Sequence, residues 1–501
     1  MRVLFVFPDL SSTVTHYTGA PSYGVAGLAA VLRAAGHRTG LLHLTAAPGP
    51  TAFRERVAAA RPDLVAFSAN SHYARRLAAW TAWARASAGA PVVVGGPHAT
   101  LAPEEVAALP AVDYTCVGEG EGALADLCRA LATGNDPARI PNLWVRTPRG
   151  LVRNPPRALI EDLDALPDPD LSVFDFASLY NSRQGTFSYL MSRGCGWDCT
   201  YCCAHAQRHR ATGGGRFWRF LSPRRAADQL AGLIARHLPA ARSVTFVDAV
   251  FFPSMDWLEE FAPLYRARVG LPFSCNLRAD RVTPRVAVVL RGMGCETARL
   301  GVESGDEHMT REVLRRQLTP DDLRRAFALL REHGIRRWSY SMFGLPTETL
   351  PLALRTVRFN AELEPDLALS FVYYPYPGTE LRRRCAAAGW LTDREFDHYR
   401  AGTALHMPGF AEHDILFVQR FYPHLLRLYA RCRRAAPALD AILASPLLPR
   451  RALVALHEGY RALRHRVGER IVRRSPALYR HLGGHDRGVP APPERAWVEA
   501  G

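Results

Sequence analysis

Three cysteines in the middle of the chain carry the sharpest chemical signal. In MSRGCGWDCTYCC, Cys195, Cys199 and Cys202 are separated by three residues and then by two. Thiolates hold iron-sulfur clusters, and a four-iron cluster normally takes four of them, so three leave one iron open. An open iron can chelate the amino and carboxylate groups of an amino-acid cofactor and set an electron source against the bond to be broken. Three packed thiols or a zinc site are the alternatives, but zinc usually takes a second ligand pair at comparable spacing, and none lies nearby. Cys203 adjoins the third ligand. Neighbours on a tight loop seldom point the same way, so it reads as a packed thiol.

The elements that must position this loop fall into two α/β series. Residues 1–140 alternate short apolar runs with helical patterns, predicting strands at Val3 to Phe7, Gly40 to Leu44, Leu64 to Phe67, Val92 to Val94 and Tyr114 to Val117. GVAGLAAVLRAAGH is an amphipathic helix with its stop at Gly36. The pattern predicts a doubly wound, Rossmann-like domain, whose ligands bind beyond the carboxyl ends of its strands. The loops there are Ser68-Ala69-Asn70, Gly95-Gly96-Pro97-His98 and Gly118-Glu119-Gly120-Glu121.

Residues 141–182, rich in proline and aspartate around Pro167 and Pro169, read as a surface linker. Over 183–385, strands are expected at Phe187 to Ser192, Val244 to Val247, Pro272 to Asn276, Thr297 to Val302, Arg337 to Met342 and Ala368 to Tyr374. Six βα units predict a partial (β/α) barrel with its chemistry at the carboxyl ends of the strands. Residues 386–482 read as an arginine-rich helical segment that caps the barrel, and 483–501 as a disordered tail.

With 501 residues, 48% hydrophobic and 22% charged, the chain reads as a globular protein of two or three domains. MRVLFVFPDL looks like a buried strand rather than a signal peptide, and no run of about eighteen apolar residues predicts a membrane span. A cytoplasmic, reducing location is the default, and ten cysteines with three clustered argue for a metal site over disulfides. The charge of +16 comes with no lysine, and residues 381–501 hold 21 Arg against 11 Asp and Glu. Such a surface would suit an anionic substrate, a membrane face or a partner; a solvated helical surface is the plainer reading, and no nucleic acid is expected.

Beyond these readings, the chain resembles the cobalamin-binding branch of the radical S-adenosylmethionine superfamily, including its class B methyltransferases. CGWDCTYC at 195–202 resembles the cluster loop, FVDAVF, LGVESGD, MFGLPTET and YPYPGTEL resemble the strand ends, and YGVAGLAAVLRAAGH, VVVGGPHATLAPEE and VDYTCVGEGEG resemble the cobalamin domain. Together they cover about residues 1–385 in the family's order. The resemblance implies a [4Fe-4S] cluster on the three cysteines, with S-adenosylmethionine met by Tyr201 beside the adenine and by Asp248, Arg278, Glu303 and Gly344. Carboxylates at strand ends can accept from an ammonium or ribose hydroxyls, and an arginine can pair a carboxylate; structural ion pairs are the alternative. It also implies cobalamin contacts at Ser68, Gly95, Gly96, Gly118 and Glu119, where glycines admit close approach of a bulky ligand unless they are ordinary turn glycines. Val14 stands where a D-x-H-x-x-G loop has aspartate, so His16 lacks the supporting carboxylate of a cobalt ligand.

The implied activity is hydrogen-atom abstraction by a 5'-deoxyadenosyl radical, followed by methylation of an unactivated carbon of a small molecule, of natural-product or lipid type with an anionic substrate as one option, from methylcobalamin. An external flavodoxin- or ferredoxin-type donor would reduce the cluster. Cyclisation or rearrangement on the same cofactors is the runner-up. A non-catalytic cobalamin sensor would not need the strand-end motifs, and a transfer-RNA methylthiotransferase would need three cysteines in its first domain, where only Cys116 and Cys128 lie.

Overall fold

The computed structural model describes residues 1–10, 17–210, 213–394, 396 and 399–460. The loop with His16 and the tail from 483 lie outside them. The first sheet comprises β1 (Arg2–Pro8), β2 (Arg38–Leu44), β3 (Leu64–Ser68), β4 (Val92–Gly95), β5 (Tyr114–Cys116), β6 (Leu143–Thr147) and β7 (Gly150–Arg153), in the order β2-β1-β3-β4-β5-β6-β7. The first five strands are parallel, as their apolar runs require, and β6 and β7 add antiparallel. Chain order reverses between β1 and β3, the switch point at which such sheets open a crevice. The helix Tyr23–Ala34 leads into it, with Ser22 Oγ accepting from the Val25 amide, and Gly36 takes φ +81° just beyond its end.

The expected linker does more than connect. Its start supplies β6 and β7, which pair through Thr147 and Gly150 although Pro148 sits in the turn. Its remainder buries Leu163, Leu171, Phe174 and Phe176 in a core shared with both sheets, so apolar burial fixes it despite its prolines.

The second sheet contains β8 (Thr186–Tyr189), β11 (Ser243–Phe246), β12 (Phe273–Leu277), β13 (Cys295–Glu303), β14 (Arg336–Phe343) and β15 (Leu367–Val372), all parallel and each adjacent to the next in that order. This is the predicted partial barrel. Its first strand ends at Tyr189, not Ser192; β9 (Ser192–Arg193) instead pairs with β10 (Arg219–Phe220) as a separate ribbon.

The helix Glu412–Arg431 does not cap the barrel mouth. Tyr422 donates to Ser341 and Ser370 donates to the Gln419 carbonyl, which places the helix on the outer face of β14 and β15. The stretch before it does reach the mouth, where the Phe396 carbonyl meets His72 and Tyr399 meets Tyr376. No helix among the described residues is long and apolar enough to cross a membrane.

Candidate cluster and cofactor site

A cavity of about 600 Å³ lies between the two sheets, within the usual range of ligand pockets. Phe5, Ala66 and Phe67 line it from the switch point, and all five residues expected at cobalamin, Ser68, Gly95, Gly96, Gly118 and Glu119, line it too. Met191 to Gly194 and Ala249 close it from the barrel side. Gly96 has φ +91°, and a Cβ there would stand 2.9 Å from the backbone N and O of Ala69, so only glycine serves. Gly27, also in the wall, differs: a Cβ would meet nothing within 4 Å. Gly24 and Gly27 thus turn bare helix backbone toward the cavity, a cradle that side chains would fill. The sequence reading missed both, though their spacing in YGVAG was the available signal.

Glu119 lines the cavity but its carboxylate is engaged elsewhere. Arg193 Nη1 lies 2.8 Å and Arg219 Nη2 lies 2.9 Å from its Oε1, and the Ile160 amide donates to Oε2 over 2.8 Å. Burial pushes the Glu119 carboxyl up, but the bonds from Arg219 and Arg193 outweigh it and leave it below the ordinary value. Arg193 also reaches Glu121 over 2.5 Å. Because Arg193 and Arg219 are direct partners in the β9–β10 ribbon, two carboxylates of the first domain grip two arginines beside the cysteine loop.

That loop follows at once. Gly194, φ +79°, packs so tightly on Phe217 that a Cβ would fall 2.2 Å from its carbonyl oxygen. The Thr200 amide and hydroxyl bond the carbonyls of Leu314 and Val313, and the Leu381 amide bonds the Thr200 carbonyl, so the loop is held from outside. Cys195, Cys199 and Cys202 are half-buried. Burial pushes the Cys195 and Cys199 thiols up, while Arg278, and at Cys199 also Arg316, favour the thiolate. Among the described residues no three His, Cys, Asp or Glu side chains stand as close together as ligands of one metal ion. Cys203 follows the third of these cysteines directly. It begins the helix Cys203–Arg210 and is half-buried.

Around the cysteines, Tyr201 donates to Glu303 over 3.4 Å. Glu303 sits at the end of β13 with φ +63°, and burial raises its carboxyl. Arg316 Nη1 lies 3.4 Å from Glu303 and 2.8 Å from the Gly301 carbonyl, and its buried Nε has no partner. Sequence reading missed Arg316. It follows the π-turn Met309–Val313 between Arg315 and Gln317, at φ +51° and +54°, and nothing in VLRRQL marks which arginine turns inward.

Arg278 is already paired, donating to Asp280 through Nε (3.1 Å) and Nη2 (3.0 Å) and to the Arg316 carbonyl, and it stacks on Trp197 at 4.5 Å. Asp248 is fully buried, and burial lifts it to about 6. Its Oδ1 accepts from Ser192 and the Met191 amide, and its Oδ2 has no partner. Gly344, φ +76°, lies apart in a turn whose amide donates to buried Glu348, with Ile415 of the outer helix 3.1 Å from a Cβ there.

Comparison with known families fits this geometry. Residues 13–128 match the B12 binding domain, and residues 189–359 match the radical SAM superfamily, together more than half of the chain. The chain belongs to the cobalamin-binding radical S-adenosylmethionine enzymes. Its cofactors are a [4Fe-4S] cluster, S-adenosylmethionine and cobalamin.

An uncharacterised methyltransferase, PH0819, of Pyrococcus horikoshii is 27% identical over 312 residues, 62% of this chain and 66% of that one. The anaerobic magnesium-protoporphyrin IX monomethyl ester cyclase of Rubrivivax gelatinosus is 24% identical over 409 residues, 76% of this chain and 69% of that one. The chain thus spans about two thirds of the length of these relatives. The methyltransferase TsrM from Kitasatospora setae, solved with cobalamin and a [4Fe-4S] cluster, shares the fold with a TM-score of 0.62 at 21% identity, covering 77% of this chain and 75% of that one.

Proposed function

We propose that this radical S-adenosylmethionine enzyme methylates an unactivated carbon of a small molecule. The observation that carries the reading is one continuous wall, from Gly95 and Gly118 through Arg193 to Gly194, that runs from the cobalamin-side cavity to the residue before Cys195. When bound, the three cofactors supply reductive cleavage of S-adenosylmethionine, hydrogen-atom abstraction and a transferable methyl group.

The chain's own residues position these groups and exclude water. Cys195, Cys199 and Cys202 would hold the cluster. Arg316 presents a buried N–H without a partner beside Cys199, which suits the cofactor's carboxylate, and Asp248 Oδ2 suits its ammonium or a ribose hydroxyl. Glu303 with Tyr201 borders the same space, Arg278 tunes the field at the cysteines while tied to Asp280, and Gly344 shapes the turn after β14. Ser68, Gly95, Gly96 and Gly118 would meet the nucleotide tail of cobalamin against the bare backbone of Gly24 and Gly27. Glu119 acts through Arg193 and Arg219 rather than on the ligand. By this division residues 1–153 serve cobalamin and the half-barrel serves the cluster and S-adenosylmethionine, in a cytoplasmic enzyme reduced by a flavodoxin- or ferredoxin-type donor.

The named methyltransferase activities of PH0819 and TsrM favour methylation, and the cyclase relative keeps ring formation on the same cofactors as the second reading. Reductive anaerobic incubation with cell extract and methyl-deuterated S-adenosylmethionine separates them. Methylation yields 5'-deoxyadenosine, S-adenosylhomocysteine and a labelled product. Deoxyadenosine with an unlabelled product favours cyclisation, and no deoxyadenosine favours a sensor.

A further inference from the structure

The lumen of the half-barrel has two unlike sides. Ala298, Leu300 and Val302 of β13 are fully buried on its outer face, so Arg299, Gly301 and Glu303 face inward. Ser341 of β14 bonds Asn360 and Tyr422 on the outside, so Tyr340 and Met342 face inward, as do Leu369 and Phe371 of β15 opposite the outward Ser370. Across β13 the inward residues are small and polar: Thr245 and Ser274, bonded to each other at 2.8 Å, and Asn276. One wall is apolar and aromatic, the other carries hydroxyls and an amide, and Arg299 stands at the seam.

Arg299 is incompletely paired. Its Nη2 donates to the Phe246 carbonyl over 2.6 Å, its Nε is buried with no partner, and Tyr340, whose register partner is Gly301, faces the same lumen from the neighbouring strand. Among the described residues it has no carboxylate, whereas the more deeply buried Arg219, Arg278, Arg316 and Arg337 face Glu119, Asp280, Glu303 and Asp366. A guanidinium on the inner face of the half-barrel without a counter-ion is electrostatically incomplete, and a planar oxyanion is its natural complement.

We propose that this lumen binds an apolar-bodied carboxylate substrate, with Arg299 and Tyr340 receiving the carboxylate and Met342, Leu369 and Phe371 flanking the body. The inference rests on the reading of the chain as an enzyme acting on a small molecule. Arg316 beside Cys199 is a separate cation, so this subsite is distinct from the one assigned to the cofactor's own carboxylate.

Ligand-observed NMR titration of the cluster-loaded protein with indole-3-propionic acid and its primary amide tests this. The wild type should bind the acid at least about tenfold more tightly than the neutral amide. Arg299→Met should bring the two within about twofold, and Arg299→Lys should retain part of the preference. If Arg299→Met does not accumulate, Tyr340→Phe serves, with an expected fall of about threefold in the preference. Equal binding of acid and amide, no saturable binding of the acid, or a preference unchanged in these variants overturns the proposal. Deoxyadenosine formation by the wild type without either probe reports on the parent reading alone: its presence with no acid preference sinks only the subsite, and its absence sinks the enzyme.

Discussion

The guanidinium of Arg193 donates to Glu119 across 2.8 Å, two residues before Cys195. A first-domain carboxylate therefore holds the strand that delivers the cluster loop, and with Glu121 and Arg219 it forms a charge clasp between the domains. Replacing both Glu119 and Glu121 by Gln leaves two arginines without counter-ions. It should lower stability by about 2–3 kcal/mol, less than a fully buried pair because the Arg193 side chain is partly exposed. Cobalamin retained through gel filtration should fall while iron content holds. Unchanged retention and unchanged thermal unfolding would contradict the clasp. Its pH window follows from the depressed Glu119 carboxyl: the contribution is intact above the ordinary value of 4.5 and fades as pH drops below it.

Gly27→Leu places a side chain where nothing now lies within 4 Å, in the cavity wall. It should improve helix propensity by about 0.8 kcal/mol and leave unfolding of the cofactor-free protein unchanged or later. Cobalamin affinity should drop at least about tenfold, measured by absorbance titration. Full affinity in this variant would place cobalamin elsewhere.

Arg316→Gln removes the charge beside Glu303 and Cys199. Loss of a charge-assisted bond predicts S-adenosylmethionine binding weaker by about tenfold or more, with Arg316→Lys intermediate. Equilibrium dialysis checks it, and wild-type binding by the glutamine variant would assign the cofactor's carboxylate to another residue.

Glu348 is buried, its Oε2 accepts from the amides of Gly344 and Leu345, its Oε1 has no partner, and burial lifts it to about 8. A raised carboxyl stabilises the fold in its protonated form, so this contribution is full below pH 4.5 and is lost as pH rises through about 8. Glu348→Gln removes that loss. Its unfolding temperature should exceed that of the wild type at pH 8, with the gap closing toward pH 5; a constant gap would contradict the assignment.

Much of this was legible in the sequence because it is written locally. Apolar runs placed β1 to β5 and the six half-barrel strands, and the cysteine spacing marked the loop. What escaped depends on distant partners. Glu119 sits in a loop that looks like a ligand loop, and its fate is set by Arg193 and Arg219, 74 and 100 residues away. Arg316 is turned inward by left-handed neighbours that are not glycine, which no propensity foretells. The β6–β7 hairpin was hidden by prolines beside a polar turn, although Trp144 and Val145 alternate as a strand should.

The most direct test is iron. Anaerobic reconstitution with ferrous iron and sulfide should give about four irons per chain, a brown chromophore and, after reduction, a cluster EPR signal altered by S-adenosylmethionine. Alanine at Cys195, Cys199 or Cys202 should abolish all three, and Cys203→Ala should keep them. Wild-type iron content in any of those three variants, or a wild type that takes up no iron, would contradict the assignment.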